Sequence, residues 1–252
     1  MALMTERPVL YLIDGSAYLY RAFFALPDLS TSTGVPTNAV YGFTTMLQKI
    51  IRERRPEYLA VAFDEKGPTL RHEEFKEYKA HRPPMPDALS RQIPYIHRVV
   101  EAFAIPVVKL AGYEADDLIG TLAAQAASQG LEVVIVTGDK DMFQLLSPAV
   151  RIYDPVKDRF LTEEDCVARF GVEPARVVEV MGLMGDATDN IPGVAGIGPK
   201  NFSASLNTSS AATSPHTTSV ALFGVYHVLY QSLASARRMF SRSFIQPITG
   251  VR

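Results

Sequence analysis

Nine acids recur where an apolar run ends or an amphipathic one begins: Asp14, Asp64, Glu114, Asp116, Asp117, Asp139, Asp141, Asp186 and Asp189. Five of them fall within Leu110–Leu146, LAGYEADDLIGTLAAQAASQGLEVVIVTGDKDMFQLL. Unpaired carboxylates a few ångströms apart raise one another's pKa, so a set this large calls for cations. Oxygen-only ligation selects hard ions, Mg²⁺ or Mn²⁺, and disfavours zinc. Two such ions about 4 Å apart can activate a water and neutralise the leaving oxygen in phosphodiester hydrolysis. Helix N-capping is the alternative for one or two of these acids. No Ser-His or Cys-His arrangement competes, because His72, His81, His97, His216 and His227 lie in charged or tail segments.

The elements that must position these acids read as alternating strands and helices. Val9–Ile13 and Tyr58–Phe63 are short apolar strands, each followed at once by an aspartate; Ile105–Leu110, Val133–Val136 and Val150–Tyr153 are further strand candidates. Between them Tyr41–Arg52, Ile93–Phe103, the run opening at Glu114 (Leu118, Ile119, Leu122, Ala123, Ala126) and Val177–Met184 carry apolar residues at helical spacing. Thr162-x-x-Asp165 resembles a capping box ahead of another helix. Alternation of this kind predicts an α/β fold with a central, mostly parallel sheet and helices on both faces. Such sheets place ligands at the carboxyl ends of their strands, where these acids fall.

Two segments stand apart. Residues 65–93 are charged and aromatic with few aliphatics, an excursion from the sheet. Read as one helix, they put Arg71, Phe75, Tyr78, Lys79 and Arg82 on one face, a stripe suited to a single nucleic-acid strand or, with Glu73, Glu74 and Glu77 among the cations, to a solvated surface. Ile191–Lys200, IPGVAGIGPK, follows Asp186 and Asp189 with three glycines that can turn amides outward towards a phosphate, or serve as an ordinary interhelical turn.

The 252 residues are 47% apolar, enough for a sizeable core, and the formal net charge is −2. That charge is uneven: residues 201–252 hold four Arg and no Asp or Glu, leaving −6 for residues 1–200. Setting the nine acids aside leaves the body with more cations than anions, which permits a polyanionic partner. A single cysteine, Cys166, rules out an internal disulfide and reads as a buried thiol; the short N-terminal apolar run is neither a signal peptide nor a membrane span, so a cytoplasmic location is expected. Asn201–Ser219 has ten Ser or Thr in nineteen positions, a composition that cannot bury enough surface to order itself, and residues 201–252 read as a disordered or frame-altered tail.

Six motifs, YLIDGSAYLYRAFF, AVAFD, RHEEFKEYKAHRPPMP, GYEADDLIGTLA, TGDKDMFQLL and MGDATDNIPGVAGIGPK, occur in order from about Val9 to Lys200. Together they resemble the flap endonuclease family, in particular the 5′-nuclease domains of bacterial DNA polymerase I. The resemblance implies a bacterial, structure-specific 5′-3′ nuclease, a fragment of a polymerase I, acting as a monomer on flapped, nicked or branched DNA and on RNA primers in hybrid. It implies two Mg²⁺ (or Mn²⁺) ions, Asp14, Asp64, Glu114, Asp116 and Asp117 matching the inner ligands and Asp139, Asp141, Asp186 and Asp189 completing the second site. It also implies catalytic roles for Asp116 and Asp117 with Lys79 and Arg82 on the scissile phosphate, base stacking by Tyr78, and substrate contacts by Arg21 and Arg71. Gly193, Gly196, Gly198 and Lys200 match a DNA-gripping hairpin, with K⁺ a candidate ligand there. On this reading residues 1–184 are the catalytic domain with a helical arch at about 65–93, residues 185–200 begin a helix-hairpin-helix that is truncated or altered, and 201–252 do not match. A fragment that binds branched DNA without cutting it, and a PIN-like ribonuclease, are the competing readings.

Overall fold

The computed structural model describes residues 7–197. Its strands are β1 (Val9–Asp14), β2 (Tyr58–Ala62), β3 (Val107–Val108), β4 (Glu132–Val136), β5 (Val150–Asp154) and β6 (Arg159–Leu161), and its α-helices are α1 (Gly15–Ala25), α2 (Asn38–Lys49), α3 (Leu70–Glu74), α4 (Asp87–Ser90), α5 (Ile93–Ala102), α6 (Ala115–Ser128), α7 (Glu163–Phe170) and α8 (Val177–Met184). They form one six-stranded sheet in the order β3-β2-β1-β4-β5-β6, parallel from β3 to β5 and antiparallel only at β6. Strand β1 sits in the middle, with Ile13 level with Val61 on one side and Val136 on the other.

Because side chains alternate along a strand, each strand feeds two cores. Leu10, Leu12, Val133, Ile135, Val150 and Ile152 pack with Leu118, Ile119, Leu122 and Ala126 of α6 and with Phe170, Val177 and Val180 of α7 and α8. Tyr11, Ile13, Leu59, Val61, Val134 and Val136 pack with Leu19 of α1, Phe43 and Leu47 of α2, and Ile96 and Val100 of α5. The doubly covered, mostly parallel sheet therefore follows the sequence expectation. Helix α8 has its predicted bounds, and the Thr162–Asp165 capping box starts α7. Cys166 is buried, and burial pushes its thiol up to about 11.

Three expectations are corrected. Residues 65–93 are not one helix: α3 stops after five residues, Phe75 turns extended, and residues 75–82 run as successive turns through a left-handed Lys79 (φ 55°). The stripe read along that helix does not exist as a stripe. The strand expected over Ile105–Leu110 is two residues long. The helix from Tyr41 starts earlier, at Asn38, and ends in a π-helical turn, Ile50–Arg54, closed by left-handed Arg55. The expected tail, 201–252, lies outside the described residues, as do Gly198 and Lys200.

Candidate metal centre

The carboxyl ends of the central strands stand side by side, and the acids follow from that. Asp14 ends β1, is buried, and caps α1 by accepting from Ala17 N–H at 2.9 Å; the Thr137 hydroxyl donates to its other oxygen at 3.0 Å. Asp64 lies just past β2, donating its N–H to Ser16 Oγ (2.7 Å) and accepting from Ala115 N–H (2.7 Å), which ties the start of α6 to the strand end. Past β4, Asp139 accepts from Asp141 N–H at 2.9 Å and so fixes the short 3₁₀ turn that carries Asp141. Asp186 and Asp189 arrive on a closed turn after α8, held by mutual backbone bonds between Asp186 and Ile191 at 2.8 and 2.9 Å.

Eight of the nine acids, Asp14, Asp64, Glu114, Asp116, Asp139, Asp141, Asp186 and Asp189, line a single cavity of about 300 Å³ together with Lys79, Arg82 and Lys140. Asp117 is the exception. It is buried, caps α6 by accepting from Glu114 N–H (3.0 Å), and is gripped from two sides by Arg71, at 2.7 and 2.8 Å. Capping, the alternative reading, thus describes part of what Asp117 does, beside its pair with Arg71, and adds a second duty to Asp14 and Asp139.

The segment 75–82 reaches these acids although it is not helical. Lys79 Nζ lies 2.7 Å from Glu114, Arg82 2.5 Å from Asp189, and the buried Tyr78 hydroxyl 2.9 Å from Glu114 and 3.2 Å from Asp189. Lys79 N–H donates to Asp189 O (2.9 Å) and Asn190 Nδ2 to Glu77 O (2.7 Å), which pins the two turns together. On the other side Lys140 bridges Asp186 (2.6 Å) and Asp141 (3.5 Å). Among the described residues no three His, Cys, Asp or Glu side chains converge as a ready-made ion site, and Lys79, Arg82 and Lys140 contact the acids instead.

The electrostatics favour a cation all the same. Burial, with Asp139 and Asp64 nearby, pushes Asp14 up to about 6. Burial, then Asp139, pushes Asp141 up to about 7, and its buried Oδ1 makes no hydrogen bond, with only the Lys140 ammonium facing it at 3.5 Å. Glu114 goes the other way: against its burial, Lys79 and Arg71 hold it below the usual carboxylate range. A buried carboxylate oxygen with no hydrogen bond and a crowd of oxygen-only donors fit a hard divalent ion.

The sequence-derived residues divide accordingly. Lys79 and Arg82 stand at the cavity, as expected. Arg71 and Tyr78 are buried and spend their polar atoms on Glu114, Asp117 and Asp189, so the structure gives them a role in holding acids and no open surface for a base or phosphate. Arg21 lies against Gly138 and 3.5 Å from Asp154. Gly193 packs on the Met184 carbonyl, while Gly196 is left-handed (φ 84°) with open space beside it. Sequence reading missed Ser16, Thr137, Lys140 and Asp154; the TGDKD motif already placed Thr137 and Lys140 beside Asp139, but nothing local announces their partners.

A sheet of this topology, covered on both faces and gathering acids at its strand ends under a cation-bearing segment, defines an α/β protein with one oxygen-rich cavity suited to hard cations. The model of the 5′-3′ exonuclease, N-terminal resolvase-like domain, matches residues 9–171, and the chain belongs to that family. Its sequence is 47% identical over 191 residues to a 5′-3′ exonuclease of Aquifex aeolicus, covering 76% of this chain and 66% of that one. It is 50% identical over 196 residues to DNA polymerase I of Bacillus caldotenax, covering 76% of this chain and 22% of the polymerase. The chain therefore spans about two thirds of the first relative and under a quarter of the second. Phage T5 5′-exonuclease with bound zinc ions superimposes with a TM-score of 0.66 at 21% identity, over 91% of this chain and 89% of that one. The catalytic core of Rad2 in complex with a DNA substrate does so with 0.51 at 16% identity, over 98% and 83%. At these identities the two likenesses establish the fold. No helix among the described residues is long and apolar enough to cross a membrane.

Proposed function

We propose that this chain is a structure-specific 5′-3′ exonuclease and flap endonuclease that hydrolyses phosphodiester bonds in DNA, removing flaps and RNA primers. The observation that carries this reading is the single cavity where eight carboxylates from separate parts of the chain meet Lys79 and Arg82. Family membership supports it, as does the DNA on the Rad2 core.

Two Mg²⁺ (or Mn²⁺) ions are proposed, one among Asp14, Asp64, Glu114 and Asp116 and one among Asp139, Asp141, Asp186 and Asp189, with Asp117 holding the first group through Glu114 and Arg71. Bound there, such ions would lower the pKa of a water and offset charge on the leaving oxygen. The chain's own residues do the rest. Lys79 and Arg82, now spent on Glu114 and Asp189, turn to the scissile phosphate once those carboxylates have other partners, and supply fixed positive charge where negative charge develops. Thr137 holds Asp14 and Asp139 at a fixed spacing by donating to one carboxylate while accepting from the other residue's N–H (3.1 Å). A DNA grip and K⁺ at the glycine-rich stretch of residues 193–200, a monomeric state and a bacterial cytoplasmic setting complete the reading.

The test is cleavage of a labelled 5′-flap duplex with Mg²⁺, beside Asp116→Ala. Junction cleavage that the variant loses supports the proposal. A folded parent chain that binds Mg²⁺ by calorimetry and leaves flap DNA intact overturns it.

A further inference from the structure

Asp154 is a fourth strand-end acid, and it does something different from the others. It ends β5, beside the β4 continuation that carries Gly138 and Asp139; Thr137 N–H donates to Tyr153 O at 3.2 Å across that junction. It is buried, yet it lines no part of the acid cavity. Its Oδ1 accepts from Val156 and Lys157 N–H at 3.0 and 3.3 Å, which locks the carboxylate's orientation. The same oxygen faces Arg21 Nη1 at 3.5 Å, while Lys157 Nζ lies 3.6 Å from Oδ2.

The other side of Arg21 is Gly138. Arg21 Nη2 makes a long 3.5 Å hydrogen bond to Gly138 O, and a Cβ on Gly138 would fall 2.1 and 2.2 Å from the two Nη atoms. The guanidinium therefore fills the space a side chain at 138 would need, against the peptide that leads into Asp139. Arginine's long stem is costly to hold in one place, and a charged, oriented partner on one side with bare backbone on the other is an efficient way to do it.

We infer that Asp154 and Gly138 form a seat for the Arg21 guanidinium, and that Asp154 is a positioning residue acting through Arg21 on the substrate phosphate. This rests on the nuclease reading above together with the substrate contact that the family resemblance implies for Arg21, here taken as a phosphate contact. None of the contacts of Asp154 is to a proposed metal ligand, so the effect of removing its charge falls on phosphate placement.

Asp154→Asn is the informative variant, because asparagine keeps an oxygen for the Val156 and Lys157 amides and removes the charge that faces Arg21 and the exposed Lys157 ammonium. Gly138→Ala fills the seat from the other side; what its Cβ meets is the far end of a flexible side chain, so the fold is retained. The first readout is the Arg21 side-chain Nε–Hε NMR signal, assigned with Arg21→Ala. A distinct, slowly exchanging signal in the parent that collapses towards the free-arginine position in both variants supports the seat; a parent-like signal in Asp154→Asn overturns it. The second readout is single-turnover cleavage of a 5′-flap duplex. Each variant should slow it by about the factor Arg21→Ala does, on the order of ten to a hundredfold, and Asp154→Asn with Arg21→Ala should be no slower than Arg21→Ala alone. Additive losses in the double variant, or Arg21→Ala cleaving like the parent, overturn the positioning role. A parent that never cleaves fails the nuclease reading, whereas the arginine signal decides the seat by itself.

Discussion

Gly185 and Gly193 face each other across the neck of the Asp186–Ile191 turn: a Cβ on Gly185 would lie 2.4 Å from Gly193 N, and one on Gly193 2.2 Å from Met184 O. Gly185 is also left-handed, at φ 70°. The neck is closed further by Val194 N–H donating to Leu183 O at 2.8 Å. The carbonyl that a new Cβ would strike cannot swing aside as a side chain could, so Gly193→Ala has to open the neck. It should cost about 1–3 kcal/mol in urea unfolding and weaken divalent-ion binding at Asp186 and Asp189 in the remaining folded protein. Unchanged stability with unchanged ion affinity would mean that the glycine serves only an exposed hairpin.

Arg71 and Asp117 form a buried two-pronged pair, with Glu114 a further partner of Arg71 at 3.0 Å. Removing the cation leaves the Asp117 carboxylate desolvated without its charge partner, while Glu114 keeps Lys79 and the Tyr78 hydroxyl. Arg71→Ala should therefore lose about 3–5 kcal/mol, measured by urea denaturation, with Arg71→Met losing less because it refills the volume. If Arg71→Ala unfolds at the parent's urea concentration, the pair is replaceable by water and Arg71 is free for substrate after all.

Much of this was legible because the informative neighbours are close in sequence. A run such as Tyr58–Phe63 followed by Asp64 announces both a buried strand and its end, and a parallel sheet then aligns the ends of β1, β2 and β4 without further information. The 65–93 segment was not legible for the opposite reason. Arg71 and Tyr78 look like surface residues locally, and only Glu114, Asp117 and Asp189, 35 or more positions away, make their burial affordable. Those distant partners hold the chain in turns with Lys79 left-handed, which overrides the helical spacing. Strand β6 was missed because three residues give no period to read, and with it the significance of Asp154.

Asp158, at the left-handed turn between β5 and β6, accepts from Lys49 (2.8 Å), from Arg54 (3.2 Å) and from the Tyr153 hydroxyl. The Lys49 hydrogen bond, then that of Tyr153, lowers its pKa from 3.8 to about 2. A carboxylate with a folded pKa below its unfolded one adds stability that is present above the unfolded value and lost as pH falls through the folded one. The stability gap between the parent and Asp158→Asn should thus be constant above pH 5 and shrink between about pH 4 and 2. Urea midpoints taken across that range check it, and a gap that stays flat down to pH 2 would contradict the assignment.

Lys79 separates binding from catalysis most cleanly. Its left-handed backbone is anchored to Asp189 O, so the side chain is aimed at the acids by the turn itself, and its ammonium rests 2.7 Å from Glu114. Alanine there removes one fixed charge where charge develops on the reacting phosphate, and also frees Glu114 for an ion. Lys79→Ala should therefore slow single-turnover flap cleavage by about 10²–10³-fold, leave duplex affinity within about threefold, and bind divalent ions at least as tightly as the parent. The combination matters: slower chemistry alongside undiminished ion binding cannot come from a damaged metal centre. Equal losses in cleavage and DNA affinity would instead make Lys79 an ordinary phosphate contact, and weaker ion binding would make it a strut for Glu114.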